Sequence, residues 1–554
     1  MNRTVITLLL VACSSTLWAK TTWTIRQKTY DVDTLEHITI GPGTTQTKLK
    51  VTGPTGTHNI FYNTVQLDNE YVEMRVAKAG DAYLALETVP EIAQRYDRPG
   101  ENYFTGINGD FFNMSAPYQW SLGATIQNGS YASYVAPASS ADIDDYYLCF
   151  DNDGVPTFAR HITVPTTGRA TYPDGTTSTL YFNTNRNTDY LVIYTHQWNS
   201  GKTGVNEYGS EVTLKPVDNT HSMWGSTCQL EVVDDPVTQT SNIPVGGYVL
   251  SGHGTSRTKL NSLKKGDIIE VNFDFRADGT PFAAKEVIGG YPYLIYDNEI
   301  QRVLSYPAHL STNEPRTAVG YTEDKSKLIM LVVDGRGAGG STGVTQRMLA
   351  DIMQNLECSH AMNFDGGGSS TMYTDRLGVR NVPSSSSLDS RPEGTPRTVV
   401  NALFAVAISP QDDEIAAIEI REKRLDLNTG DTYTPTVYGY NRYGSLIDTD
   451  VQGFSCHTSP ALTSLSGNTI TADSEQYKGA LTVEYGSLSY SIPVFINYAD
   501  EDDDLGGIVD TVTDTDCNSP VEYFTTQGLR IINPAAGTLV IRRQGSQVTK
   551  LIIK

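Results

Sequence analysis

The chain has 554 residues, enough for several domains that each bury a core. Acids outnumber bases 63 to 41, and the net charge of −22 excludes a nucleic-acid partner, whose phosphates need a basic footprint. An anionic substrate must then be held by local arginines.

The amino terminus reads as a targeting segment. Arg3 supplies a positive start, Val5 to Ala12 an apolar stretch too short for a membrane span, and Ala19 a small residue before a mature start at Lys20. Residues 1–19 are therefore expected to be removed on export, leaving a periplasmic, cell-surface or secreted protein. Leu10-Val11-Ala12-Cys13 also matches a lipoprotein box, which would put a membrane lipid anchor on Cys13. That signal would be short, so cleavage after Ala19 is preferred.

From Thr22 to Phe158 the pattern is of short alternating strands with Gly, Pro and Asn turns, broken by a helix near Glu91 to Tyr96. Asp151-Asn152-Asp153-Gly154 lacks the further ligands of a calcium loop and reads as a hairpin turn. Ile162 to Asp274 is strand-like and polar, and is assigned to the same domain. Gly289-Gly290-Tyr291-Pro292 suits either a tight approach to a cleft or a plain turn. The cysteines and the nine histidines are scattered without metal-type spacing, so no zinc site is expected.

Leu328 to Val333 is a continuous apolar run of strand length that ends in Asp334-Gly335-Arg336. A Gly-rich loop follows, and then Met348, Leu349, Ile352, Met353 and Leu356 recur at helical spacing to about Glu357. Thr345 suits the N-cap, with Val344 and Leu349 at the positions of a hydrophobic staple. Ala361 to Phe364 reads as a second strand leading into Asp365. The unit is expected to be a βαβ crossover with parallel strands, placing Asp334 and Asp365 at one sheet edge and in one cleft. The alternative is that Asp334 caps its loop and pairs with Arg336. Asp365 opens Gly366-Gly367-Gly368-Ser369-Ser370-Thr371, where three glycines cost backbone entropy and bury no side chain. Such a run suits a sharp turn whose N–H groups meet an anion or sugar phosphate.

Six blocks in order carry a family resemblance: Ile107 to Phe112, Pro315 to Gly320, Val333 to Arg336, Asn363 to Thr371, Asn381-Val382-Pro383 and Arg397 to Leu403. Together they resemble the phosphodiester glycosidase family over about Lys28 to Ile408, with a poorer match between Arg160 and Gly246. The resemblance implies hydrolysis of a sugar-1-phosphate diester, of the N-acetylglucosamine-1-phosphodiester kind, giving a free sugar and a phosphomonoester. The partner would then be a phosphorylated glycan or a sugar-1-phosphate diester. Two features depart from the family: Met348 stands where a first-turn Glu is usual, and the loop Gly337 to Gly343 is long.

On this reading Arg316 and Arg397 hold the phosphate, with Arg336 beside them. The N–H groups of Gly366, Gly367, Gly368 and Ser369 stabilise developing charge, and Asp365, with Asp334 as its neighbour, does acid–base or nucleophilic work. Asn108, Asp110 and Asn363 bind sugar hydroxyls or orient Asp365, and Gly109, Ser370, Thr371 and Asn381 complete the substrate site. No cofactor is implied, and a need for a divalent metal is left open. Cleavage at the anomeric carbon and cleavage at phosphorus both remain open. So does a rival reading, an exported glycan-binding protein that holds its ligand in this cleft without cutting it.

The fold expectation is α+β: a β-rich domain over residues 20–410 with at least one βαβ unit. An all-β, immunoglobulin-like sandwich is expected over residues 411–498, resembling bacterial domains of that kind. Residues 499–520 read as an acidic linker, and 521–554 as a small β module.

Overall fold

The computed structural model describes residues 21–82, 84–114, 121–131, 146–218, 222–301, 312–384, 391–473 and 476–498, and strands within 521–552. The expected targeting segment, with Cys13, and the acidic linker lie outside the described residues. The chain is strand-rich, and its contacts separate it into two units.

Two sheets of the larger unit position the site. The strands of both are, in chain order, β1 (Thr21–Ile25), β2 (Lys28–Gly41), β3 (Thr44–Gly53), β4 (Gly56–Gln66), β5 (Val72–Lys78) and β6 (Asn102–Asn108). After a long insertion come β7 (Tyr293–Tyr296), β8 (Glu299–Ile300), β9 (Arg316–Tyr321), β10 (Lys327–Val333), β11 (His360–Asn363), β12 (Met372–Thr374), β13 (Gly378–Val379) and β14 (Asn401–Ala407). One sheet has nine strands in the order β1-β2-β3-β4-β10-β9-β11-β7-β8, and the other five in the order β13-β12-β6-β14-β5.

Helix α1 (Val89–Tyr96) lies on the outer face of the five-stranded sheet, sharing a cluster with Tyr103 and Phe404. Helix α2 (Gln346–Asn355) covers the outer face of the nine-stranded sheet, with Met348, Leu349 and Ile352 against Ile329, Leu331 and Val333. The intervening residues Leu328, Met330 and Val332 face the core shared by the two sheets. Both faces of β10 are thus covered, which is why its sequence is apolar throughout rather than alternating.

That burial has a different origin from the one expected. Every pairing in the nine-stranded sheet is antiparallel, and β9 lies between β10 and β11, bonded to both. β10 and β11 run the same way without pairing, and α2 crosses from one to the other past β9. Asp334 and Asp365 still follow the matching ends of two co-directional strands. The packed second sheet, rather than a parallel ladder, makes β10 fully apolar.

Buried polar groups tie the sheets together. Gln46 donates to Asn63 Oδ1 and Thr374 Oγ1, both at 2.8 Å, and Asn63 donates to Thr105 Oγ1 at 2.8 Å. Each buried amide thus finds a partner across the layer. The insertion between β6 and β7 contains seven strands from Thr167 to Asn272 that close into a barrel. The expected Asp151 turn is a hairpin, with Asp151 Oδ1 accepting from Asp153 N and Val155 N at 2.9 Å each.

Past Ala407 the larger unit continues with small antiparallel sheets. In one of them, Ala417–Ile420, Val437–Tyr440 and Leu446–Asp448, the residues Tyr438, Tyr440 and Leu446 join the main core cluster. Tyr440 Oη donates to Thr39 O at 3.0 Å, on β2. The smaller unit includes four antiparallel strands, Val521–Phe524, Arg530–Ile531, Leu539–Gln544 and Gln547–Ile552.

Candidate functional site

The glycine run begins where β11 ends, and its backbone is held from three directions. Asp365 N donates to Gly109 O (3.0 Å), Asn108 Nδ2 to Asp365 O (2.7 Å), and Gly367 N to Pro315 O (2.9 Å). Asn108 is fully buried, and its Oδ1 accepts from Thr317 Oγ1 (2.8 Å) and Thr371 N (3.1 Å). It therefore orients the Asp365 loop and is closed to a sugar. Asn363 is equally buried, donating to Tyr291 O at 2.7 Å, so the Gly289 to Pro292 cluster is a tight approach to this strand.

The glycines are explained by what sits against them. A β-carbon on Gly367 would lie 3.0 Å from Arg336 Nη2, and one on Gly368 would lie 2.4 Å from Arg397 Nη2 and 3.1 Å from Arg391 Nη2. Guanidinium groups occupy the space that side chains would need. Gly367 also has φ +62°, a conformation other residues rarely adopt. Arg391 was not read from the sequence. It donates to Gly368 O (3.1 Å), Ser384 O (3.4 Å) and Thr395 O, knotting three segments around the run. Its surroundings of Ser, Pro and Gly gave no periodic signal.

The expected row of N–H donors is narrower than the sequence suggested. Gly367 N is bonded to Pro315 O, Ser369 N to Gly366 O and Ser370 N to Gly367 O, because the run winds into a short 3-10 turn. The Gly366 N–H is turned to the Asp365 carboxylate. The Gly368 N–H is the one left without an acceptor among the described residues.

Asp365 is half-buried, and burial raises its pKa to about 6 against the Ser369 hydroxyl, the Arg397 charge and the Gly366 N–H, which hold it down. Arg397 Nη1 also donates to Ser369 Oγ at 3.3 Å. Carboxylate, hydroxyl and guanidinium thus form one cluster at the head of the run. Such an acid can carry or release a proton near neutral pH.

Asp334 stands differently. It is 1% exposed, and its oxygens accept from Val382 N (3.0 and 3.2 Å) and Asn381 Nδ2 (3.0 Å). Burial raises its pKa to about 7. Asn381 Nδ2 also reaches Ser370 O at 3.1 Å, so Asp334 joins the site through Asn381. Its geometry is that of an anchor for the Asn381–Val382 turn and not of an acid open to the cleft. The pairing with Arg336 weighed for it is made instead by Glu314, at 2.6 Å.

Arg316 is 5% exposed, with Nε on Val344 O (3.1 Å) and Nη2 on Thr312 O (3.2 Å). Burial lowers its pKa to about 10, with Glu314 acting against the shift and Arg336 adding to it. Asp110 turns its carboxylate to Gly123 N (2.8 Å) and takes Asn401 Oδ1 on its own N–H (2.9 Å). That arrangement ties down the loop after β6. Among the described residues no cluster of three metal-binding side chains occurs.

Residues 226–406 match the family model described as phosphodiester glycosidase. This chain carries a phosphodiester glycosidase domain. The match takes in every site segment except the Asn108 block, which lies outside it. Among solved structures, a Synechocystis protein is similar at 20% identity and TM-score 0.39, over 66% of this chain and 62% of that one. A Burkholderia pseudomallei protein described as exported is similar at 17% identity and TM-score 0.41, over 70% of this chain and 99% of that one. The zebrafish N-acetylglucosamine-1-phosphodiester alpha-N-acetylglucosaminidase catalytic domain, auto-inhibited by its pro-peptide, is similar at 14% identity and TM-score 0.33, over 68% and 87%. No curated protein matches the chain.

Proposed function

We propose that the protein is an exported hydrolase of sugar-1-phosphate diesters that releases the sugar and leaves a phosphomonoester. The observation that carries this reading is the packing of Arg336, Arg391 and Arg397 against Gly367 and Gly368, with Asp365 at the head of the same turn. Arginines set around a run with room for no side chain suit a diester phosphate, which their planar forks can hold. In this role Arg397 and Arg336 face the phosphate and Arg316 supports them from behind. The Gly368 N–H donates to the charge that develops, and Asp365 acts in its ionised form on the reacting centre. A non-catalytic binder of neutral glycans would not need an acid held beside a guanidinium.

Export rests on the amino-terminal segment and would put this chemistry outside the cytoplasm. The 411–498 stretch, read as immunoglobulin-like, would serve display. The test is incubation of the full chain with an N-acetylglucosamine-1-phosphate diester, following free sugar and phosphomonoester separately. Release of both in equal amounts supports the reading, and intact diester at high enzyme concentration would overturn it.

A further inference from the structure

Glu314 is absent from the site read from the sequence, yet the fold holds its backbone closely. Its N–H donates to Val344 O (3.2 Å) and its carbonyl accepts from Val344 N (3.0 Å). Gly335 and Gly343 press on its backbone so closely that a β-carbon would lie 2.9 Å from Glu314 C in the first case and 2.7 Å from Glu314 O in the second. The residue is thereby fixed at the end of β10, directly beside Arg336. Arg336 itself has φ +59°, a left-handed conformation that is costly for a residue with a side chain and is retained only when its surroundings impose it.

The ion pair between the two is directional. Glu314 Oε2 takes the Nε edge of Arg336 at 2.6 Å. The terminal nitrogens face the glycine run, with Nη2 3.0 Å and Nη1 3.6 Å from the β-position of Gly367. A guanidinium held by its Nε edge keeps one rotamer and presents its terminal fork, the edge that matches a phosphate. Glu314 also offsets the burial of Arg316.

We infer that Glu314 is a positioning residue: it aims the terminal fork of Arg336 at the anion bound on the glycine run. The assignment rests on the phosphodiester reading above and adds to it the part that decides anion affinity. Glu314 touches no reacting atom and reaches the bound anion through Arg336.

The test uses the full chain, titrated calorimetrically with inorganic phosphate and assayed in parallel on a sugar-1-phosphate diester. Glu314→Ala removes the aiming contact and should weaken phosphate binding about tenfold, although loss of a nearby negative charge pulls the other way. Glu314→Gln keeps an oxygen for Nε and should weaken it by less than about threefold. In an Arg336→Ala background, Glu314→Ala should change phosphate affinity by less than about twofold, since the residue through which it acts is gone. Circular dichroism checks folding in each case. Unchanged or tighter phosphate binding in Glu314→Ala, or the same weakening with and without Arg336, would overturn the assignment. Failure of the phosphodiester reading looks different: the same phosphate couplings with no hydrolysis would uphold Glu314 and remove the reaction.

Discussion

Asp365 and Gly368 carry the sharpest consequences at the scale of single residues. Asp365 needs its ionised form for the role assigned to it, and its pKa sits at about 6, so activity should fall as pH drops through that value. Asp365→Asn should cut kcat by at least roughly 100-fold and abolish that acidic limb, read from pH profiles of kcat/KM with circular dichroism as the folding check. Wild-type kinetics would move the chemistry to another acid. Gly368→Ala tests a separate point. The added carbon would fall 2.4 Å from Arg397 Nη2, so the guanidinium must move from the Ser369 hydroxyl and from Asp365. We expect kcat to fall about tenfold or more with little change in melting temperature, and unaltered kinetics would show that Arg397 is not held where it acts. The run and its Asp were legible because few packing needs call for three glycines. Arg391 and Glu314 were not, since each is defined by contacts with the backbone of neighbouring turns, which leave no periodic mark in the sequence.

Among the elements, helix α2 followed its sequence closely. Thr345 caps it, accepting from Met348 N at 3.2 Å, and Val344 and Leu349 are both fully buried in one cluster as a staple requires. Replacing Thr345 by Ala should cost about 1 kcal/mol in denaturant unfolding. Loss of much less would mean that burial of the apolar face alone holds the first turn. The strands on either side were also legible, from an apolar run of strand length and from the residues that stop it. Their partner was not. Arg316-Thr317-Ala318-Val319-Gly320-Tyr321 has no period that says it will slide between β10 and β11, and nothing local distinguishes a strand buried by a second sheet from one buried in a parallel ladder. The covering layer that decided the matter comes from β5, β6 and β14, far away in sequence.

For the whole molecule, the stretch after Pro410 bears on stability. Tyr438, Tyr440 and Leu446 lie in the core cluster with Ile38 and Val72, and Glu419 Oε2 accepts from Thr39 N at 3.3 Å. A chain ended at Pro410 loses three such side chains, each worth roughly 1.5–3 kcal/mol when fully buried. It should melt markedly lower than a chain ended at Tyr498, while the folded fraction of each turns over diester at the same rate. Equal melting temperatures would show that this contact contributes little. A slower folded fraction would place the stretch in the chemistry.

The bonds that hold the glycine run also set an order of events. Asn108 meets Asp365 across 257 positions of chain, and Asp110 takes its backbone partner from Asn401, across 291. The barrel insertion lies between the first two, and its own pairings are comparatively local. A nascent chain can therefore close the barrel early, whereas the site must wait for β14 to emerge. Until residue 401 has left the ribosome, the arginines and the acid have no scaffold to bring them together.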